Sequence, residues 1–357
     1  MTAFLKSLNW KLNFAVLFLG FVGMISILSV KPNLFPRQLL FFGIGFFLAF
    51  SIAKFDWRPF ANYKGVIWGI YFLMILILLF TYFFAPVVRG ARAWLPIGPF
   101  QFQMSEFAKI VLIFVLANFF QKKHIKIASL SNLFASFIYF LIPAVLIAIE
   151  PDLGSVLILF SIWFGFLLVS EIRWKHLAAA FFIFLTIGGL MWMGVLKDYQ
   201  KERILGVFMP ERDNLGINYN VVQSKIAIGS GGFFGKGFRQ GTQVQLGFLP
   251  EAHTDFILAS IIEEFGLIAG FLTITAFFIL VFEIIKIGLS CGNNFNRFIC
   301  LGIVIFFSVQ FVVNAGSVLG LLPVIGVTFP FVSYGGSSLL ANFIALGFVQ
   351  SISSKNG

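Results

Sequence analysis

The sequence predicts an all-α integral membrane protein of ten transmembrane helices, with a long extracytoplasmic loop between the seventh and eighth. Three observations predict it. The chain is 59% hydrophobic and holds 51 phenylalanines, a balance typical of membrane bundles and not of water-exposed domains. It divides into ten apolar runs, at roughly 9–30, 36–53, 63–86, 104–120, 130–149, 153–170, 176–196, 255–285, 297–322 and 331–352, most of them near the ~20 residues that cross hydrocarbon. Its cations are divided unevenly between the loops that join these runs.

The first run reads as a retained span, because no small-residue cleavage pattern follows it. Runs two, four and six are short and leave little length for tilt. With the N-terminus inside, the inner loops carry Lys6, Lys11, Lys54, Arg58, Lys64, Lys122, Lys123, Lys126, Arg173, Lys175, Lys286, Arg297 and Lys355. The short outer loops carry only Lys31, Arg37, Arg89 and Arg92. This is the positive-inside pattern, and ten spans return the C-terminus to the cytoplasm. The cations sit at helix ends and not along one face, which argues against nucleic acid as a partner. Cys291 and Cys300 fall near the inner side, where thiols stay reduced, and match no metal-ligand spacing.

Residues 1–357 read as one polytopic membrane domain, with the loop 197–254 inside it. That loop is far longer than a helix connection requires. It carries Lys197, Lys201, Arg203, Arg212, Lys225, Lys236 and Arg239; long loops translocate regardless of such charge. Cations placed there suit an anion such as phosphate, or a solvated face and lipid headgroups. Within the loop, 219–229 has helical spacing at Val221, Val222, Ile226 and Ala227, expected as a short amphipathic helix on the membrane surface. The glycines of 229–237 permit positive φ and close backbone approach. No strand precedes them, so they form neither a dinucleotide fingerprint nor a P-loop.

The acids sort by side. Glu106, Glu150, Asp152 and Asp255 fall at the outer ends of spans. Glu263 and Glu264 are expected two to three turns below Asp255, on the order of 12–14 Å at 1.5 Å per residue. Lys109 shares a helix face with Glu106. Intramembrane charges face a cavity or one another, which predicts a polar cavity open to the outside and lined by spans four, five, six and eight. Plainer roles compete. Asp255 or Thr254 could cap span eight; Glu106–Lys109 could be a structural ion pair; Asp152 could serve as turn and cap. His253 suits an orienting hydrogen bond better than a base, and Glu263 and Glu264 could pair within the bundle. The small residues Ser333 to Ser338 allow either close packing or room for a lipid chain.

Four stretches together resemble the SEDS family (shape, elongation, division and sporulation proteins). They are Trp94-Leu95 with Gln103-Met104-Ser105-Glu106-Phe107-Ala108-Lys109; Glu150-Pro151-Asp152-Leu153-Gly154; Gln223-Ser224-Lys225-Ile226-Ala227-Ile228-Gly229-Ser230-Gly231 continuing to Leu249-Pro250-Glu251-Ala252-His253-Thr254-Asp255-Phe256; and Asn314 through Pro323 and Gly326 to Ser333-Tyr334-Gly335-Gly336-Ser337-Ser338. The resemblance covers essentially the whole chain, and the third stretch, with Lys236-Gly237 and Gln240-Gly241-Thr242-Gln243, is similar to the elongation branch. Met104 stands where the family usually has proline, and Ala252 where that branch often has arginine.

The resemblance implies a ten-span peptidoglycan glycosyltransferase of the bacterial cytoplasmic membrane, acting in cell elongation. Its substrates would be lipid II, an undecaprenyl-diphosphate-linked disaccharide pentapeptide, and the growing glycan strand. Its partner would be a class B penicillin-binding protein of the elongation transpeptidase (PBP2) type. It implies Asp255 as the essential aspartate, Glu106, Lys109 and Asp152 as cavity residues, Trp94 as a sensitive tryptophan, and a divalent cation, Mg²⁺ or Mn²⁺. In that chemistry a carboxylate base takes a proton from an acceptor hydroxyl. Cations stabilise the departing diphosphate: Lys109, Arg203, Arg212 and Lys225 are the candidates, with His253 beside the site. Asp255 itself is a candidate metal ligand. The alternatives are a lipid II translocase, the division or sporulation paralogue, and a scaffold in which Asp255 only caps a helix.

Overall fold

The computed structural model describes residues 7–55, 64–88, 91–98, 100–123, 130–170, 174–194, 197–209, 216 and 218–356. Among them ten long helices follow the predicted runs. They are α1 (Trp10–Val30), α2 (Phe35–Lys54), α3 (Lys64–Phe84), α4 (Met104–Lys123), α5 (Leu130–Ile149), α6 (Leu153–Val169), α7 (Trp174–Gly194), α11 (Ile257–Ser290), α12 (Asn294–Val318) and α13 (Gly336–Asn356). Among the described residues, eight helices are long and apolar enough to cross a membrane, and α6 is apolar but shorter, at 17 residues. The chain is a multi-pass, predominantly helical membrane protein.

Shorter elements lie between α7 and α11: α8 (Asp198–Phe208), α9 (Tyr219–Gly231) and α10 (Thr242–Gln245). The helix expected at 219–229 is α9. A hairpin that helical periodicity does not announce joins α3 to α4. Its strands, β1 (Trp94–Ile97) and β2 (Phe100–Gln103), pair antiparallel with Trp94 opposite Gln103. Gly98, at φ 60°, lies between them.

The upper face of the bundle is taken as the one at which α1 ends, which the charge pattern assigns to the outside. Glycines let the helices approach closely. Gly45 of α2 lies against the Phe343 ring of α13, and Gly347 against the Ala49 backbone, the small-residue packing expected between membrane helices.

The eighth predicted run is the main correction. Gly266 sits inside it at φ 85°, ψ 173°, outside helical geometry. The chain reverses there: Gly270 faces the side chain of Ile262, which a straight helix would hold about 12 Å away. Below the reversal, Leu267 to Ser290 descends antiparallel to α1, so that Asn9 at the start of α1 donates to Glu283 at 3.2 Å. Before it, Ile257 to Phe265 climbs parallel to α1. Ser260 meets Ser26 at 3.3 Å, and Glu264 accepts from Ser29, one turn higher on α1, at 2.6 Å.

Glu263 and Glu264 therefore lie above Asp255, not below it. Asp255 itself is not at the mouth. Its neighbour Thr254 accepts from Ser333 at 2.7 Å, and the adjoining Val332 carbonyl abuts Gly23 of α1. Seven residues of helix separate Gly23 from Val30, about 10 Å at 1.5 Å each. The segment 249–265 is a re-entrant hairpin that carries Asp255 down into the bundle.

Glu263 and Glu264 hold this hairpin in place. Glu263 is fully buried. It accepts from the Lys236 ammonium at 2.9 Å and from the backbone N–H groups of Gln243 at 2.9 Å and Val244 at 3.1 Å, which caps the N-terminus of α10. Glu264 accepts from Gln245 at 2.8 Å as well as from Ser29. The glycine-rich stretch closes the knot: Gly235 packs on the Glu264 carbonyl where a Cβ would not fit. Lys236 N–H and Gly237 N–H donate to the Glu263 and Glu264 carbonyls, each at 2.9 Å. Those glycines serve the hairpin backbone.

Candidate active site

One cavity of about 640 Å³ opens at the level of Asp255. Widely separated parts of the chain bring side chains to it. The first turn of α2 supplies Arg37, the β-hairpin Trp94, Gln101 and Gln103, and the start of α4 supplies Glu106. The turn before the climbing helix supplies Glu251, His253 and Asp255. The turn into α13 supplies Tyr334, Ser337 and Ser338. Spans five and six, expected among the walls, do not line it among the described residues; the β-hairpin and the last outer turn take their place.

The Asp255 turn is pinned through its backbone. The Asp255 carbonyl accepts from Asn314 of α12 at 3.0 Å, and that amide also donates to Val327 at 2.9 Å. The His253 carbonyl accepts from Tyr334 N–H at 2.9 Å. The N-cap position of α11 falls on Phe256, which has no side-chain cap. Glu251 takes positive φ, 54°, and its carboxylate reaches Thr254 at 3.0 Å and His253 Nε2 at 4.0 Å. His253 is buried, with its ring 5.8 Å from that of Tyr334. Alternate residues 251, 253 and 255 thus present carboxylate, imidazole and carboxylate to one space.

Lys109 is enclosed behind the cavity wall. Its ammonium donates to Glu106 Oε1 at 2.7 Å and stands 5.9 Å from the Phe306 ring. Glu106 Oε2 is buried without a partner. Lys109 acts on the cavity through Glu106, by orienting that carboxylate. Removing one member of a buried pair costs about 3–5 kcal/mol, because it strands the other charge. Lys109→Met is therefore expected to lower the melting temperature sharply, and the double variant Glu106→Gln/Lys109→Met to recover most of it. If the double variant melts as low as Lys109→Met, the stranded charge is not the cause.

Asp152 is a structural hub. It caps α6 by accepting from Ser155 N–H at 3.0 Å, and it also accepts from Gln103 at 2.7 Å and Ser105 at 2.8 Å. It thereby fixes the end of β2 and the start of α4, which carry Gln103 and Glu106 into the cavity. Glu150, in the same turn, is 1% exposed. Burial, with Asp152 adding repulsion, pushes its carboxyl up to about 8. The fold favours its neutral form. That contribution is full below pH 4.5 and is lost as pH rises through about 8. Glu150→Gln should flatten thermal stability across this window; an unchanged pH profile would remove Glu150 as the source.

Arg203 and Lys225 are not in the Asp255 cavity. They line a second pocket of about 270 Å³, with Asn218, Asn220, Gly320 and Val324. Arg203 also donates to the Val324 carbonyl at 3.2 Å. The loop between α12 and α13 borders both spaces, with Leu322 to Val324 on the second pocket and Gly326 and Thr328 on the Asp255 cavity. Arg212 lies outside the described residues, as do Arg89, Glu171 and Arg173.

Arg37, Glu251, Gln101 and Tyr334 are cavity residues that sequence reasoning passed over. For Glu251, the alternation with His253 and Asp255 was a usable signal. Arg37 gave none, because only the packing of α2 beside α13 and the hairpin brings it there. As for metal ligands, no group of three His, Cys, Asp or Glu stands preassembled among the described residues. The oxygen donors present, Asp255 and Glu106 with its unpartnered Oε2, are those of a hard divalent cation.

A family model described as "Cell cycle protein", covering FtsW, RodA and SpoVE, matches residues 7–357. The chain belongs to the SEDS family. It is 38% identical over 290 residues to the peptidoglycan glycosyltransferase MrdB of Escherichia coli K12, covering 81% of this chain and 78% of that one. Among solved structures, a chain of a peptidoglycan synthase complex that coordinates polymerization and crosslinking superposes with TM-score 0.83 and 31% identity, covering 98% of both chains. The crystal structure of the rod shape determining protein RodA of Thermus thermophilus gives TM-score 0.72 at 27% identity, covering 97% of this chain and 96% of that one. Membership extends over the re-entrant hairpin and the cavity as well as the bundle.

Proposed function

We propose that this SEDS protein is a peptidoglycan glycosyltransferase that polymerises lipid II on the outer leaflet of the bacterial cytoplasmic membrane during elongation, with both termini in the cytoplasm. One observation carries the reading. Asp255 is held below the upper face beside a cavity of about 640 Å³, with Glu106, His253, Trp94 and Arg37 around the same space. A lipid-anchored sugar diphosphate holds its diphosphate at the membrane interface with the reacting carbon on the polar side of it, and a cavity beside Asp255 can receive both. The names of the relatives supply the reaction class.

Asp255 accepts the proton of the acceptor sugar's 4-hydroxyl. The hydroxyl oxygen bonds to the anomeric carbon of the donor, the bond from that carbon to the diphosphate oxygen breaks, and the diphosphate leaves with the electron pair. Arg37, the cation that lines the cavity among the described residues, pairs with the departing charge; its planar fork suits phosphate. Glu251 and His253 orient the Asp255 turn. Trp94 presents an aromatic face for a sugar ring. A divalent cation, Mg²⁺ or Mn²⁺, would be held by Asp255 and Glu106 and would neutralise diphosphate charge. Arg203 and Lys225 hold a phosphate-bearing part of a substrate in the second pocket. A class B penicillin-binding protein of the elongation type crosslinks the product.

The test is polymerisation of lipid II by the purified protein, with and without that partner, followed by electrophoresis of the glycan. Strands of increasing length are the expected product. Transfer of fluorescent lipid II across proteoliposomes with no polymer would identify a translocase instead. Arg37→Gln should lower kcat at least tenfold, the size of one charge-assisted contact to a developing anion; wild-type turnover in that variant would remove Arg37 from the site.

A further inference from the structure

A second feature lies at the opposite end of the bundle, far from Asp255. Where α11 ends and α12 begins, a cleft of about 590 Å³ runs between α6, α11 and α12. Its walls are Val169 of α6 with Ile285 and Leu289 of α11, and its floor is Phe298, Leu301 and Val304 of α12. Val169 and Leu289 are exposed. Gly288 lets α11 approach Cys300, where a Cβ would stand only 2.9 Å from the Cys300 Cβ, and so deepens the cleft. From Asn294 at its lower end to Val304 is ten residues of helix, about 15 Å. One leaflet of hydrocarbon is also about 15 Å thick, half of the ~30 Å core.

Among the described residues the cleft holds one charged side chain, Arg297, at its lower end. Arg297 Nε donates to the Cys291 carbonyl at 2.7 Å. This bond fixes the guanidinium at the height where α11 meets α12, while the two terminal nitrogens make no hydrogen bond among the described residues. An apolar trough one leaflet long, open to the side, with an oriented guanidinium at its polar end, matches a lipid in outline. The chain above the cation must be hydrocarbon, and the group beside it must be an anion that accepts from a planar donor.

We propose that this cleft is a binding site for an anionic glycerophospholipid of the inner leaflet, with its phosphate on Arg297 and one acyl chain along Phe298, Leu301 and Val304. Basic pockets between membrane helices on the cytoplasmic side take such headgroups, and the charge pattern places this end of the bundle on that side. The lipid ties α6, α11 and α12 together beneath the helix that carries the re-entrant hairpin. The site is independent of the chemistry proposed above and stands or falls apart from it.

The experiment is native mass spectrometry of the purified full-length protein in detergent, titrated with palmitoyl-oleoyl phosphatidylglycerol or the matched phosphatidylcholine. One phosphatidylglycerol should be retained per protein, in preference to phosphatidylcholine. Arg297→Gln should weaken its retention about tenfold, the loss of one hydrogen-bonded charge, and Arg297→Lys should weaken it less. Val304→Trp fills the trough without touching the charge and should also displace the lipid. Wild-type melting temperatures in the variants show that the fold is kept. Equal retention of the two lipids, or wild-type phosphatidylglycerol binding in both Arg297→Gln and Val304→Trp, overturns the proposal. So does a co-purifying protein that displaces the lipid and is itself lost in Arg297→Gln, since the cleft is then a protein interface.

Discussion

Asp255→Ala is expected to abolish glycan synthesis while leaving a folded protein. Asp255 lines the cavity, yet the turn that carries it is held by backbone carbonyls: Thr254 by Ser333, Asp255 by Asn314 and His253 by Tyr334. None of these bonds needs the Asp255 carboxylate, so its removal should shift the melting temperature little. The chemistry should suffer far more. Loss of a positioned general base costs about 10²–10⁴ in rate, and loss of a carboxylate that helps hold a cation adds to this. Asp255→Asn keeps the shape and should be equally inactive. The measurements are strand length from lipid II and lipid II affinity, wild type against both variants. Polymer at wild-type rate from Asp255→Ala would refute the catalytic role. A large fall in melting temperature would instead make Asp255 part of the scaffold.

The second large effect is expected far from any charge that reacts. Gly266→Ala should both destabilise the protein and reduce polymerisation. Gly266 occupies φ 85°, ψ 173°, a region costing a residue with a side chain about 1–3 kcal/mol. Its Cβ would also strike the Phe233 carbonyl, which is backbone and cannot swing aside. Relief requires the climbing helix to move against the glycine-rich stretch, and that helix begins two residues after Asp255. Activity should therefore fall with stability. Gly43→Ala is the control: a Cβ there meets nothing within 4 Å, and alanine is the better helix former by about 1 kcal/mol. Gly266→Ala melting like Gly43→Ala, with full activity, would show that the reversal at Gly266 is not needed to place Asp255.

The bundle could be read from the sequence because hydrocarbon enforces it. A stretch of apolar residues that enters a bilayer must satisfy its own backbone hydrogen bonds and becomes a helix. Length and apolarity then locate α1 to α7, α12 and α13 to within a few residues. The grouping of Glu106 with Lys109 followed from helix periodicity, and the structure closes that pair at 2.7 Å. The capping role of Asp152 followed equally from its place before an apolar run, and Ser155 N–H confirms it.

The same reasoning failed in the eighth run. Hydropathy sees Ile257 to Ser290 as one apolar length, and a single glycine inside it carries little weight. The reversal at Gly266 depends on contacts from distant parts of the chain, namely Phe233 and Gly235 in the outer loop and Ser26 and Ser29 on α1. Glu263 and Glu264 likewise read as acids below Asp255 that pair within the bundle, because their partners, Lys236, Gln245 and the amides of α10, lie 19 to 27 residues away in a loop without periodicity.

The sequence by itself thus determined the class of protein, the helices, the family and the residue types that can react, since each of these follows from local composition against a uniform solvent. Only the tertiary structure decided which of those residues share a space. It carried Asp255 about 10 Å into the bundle, brought Arg37 and the β-hairpin beside it, enclosed Lys109 behind Glu106, and placed Arg203 and Lys225 in a separate pocket. The physical reason is that the site is built by a re-entrant turn. Its backbone polar groups cannot be satisfied within the turn and must find Asn314, Ser333 and Tyr334 on other helices. Such partners are chosen by packing, and no local pattern in the chain records them.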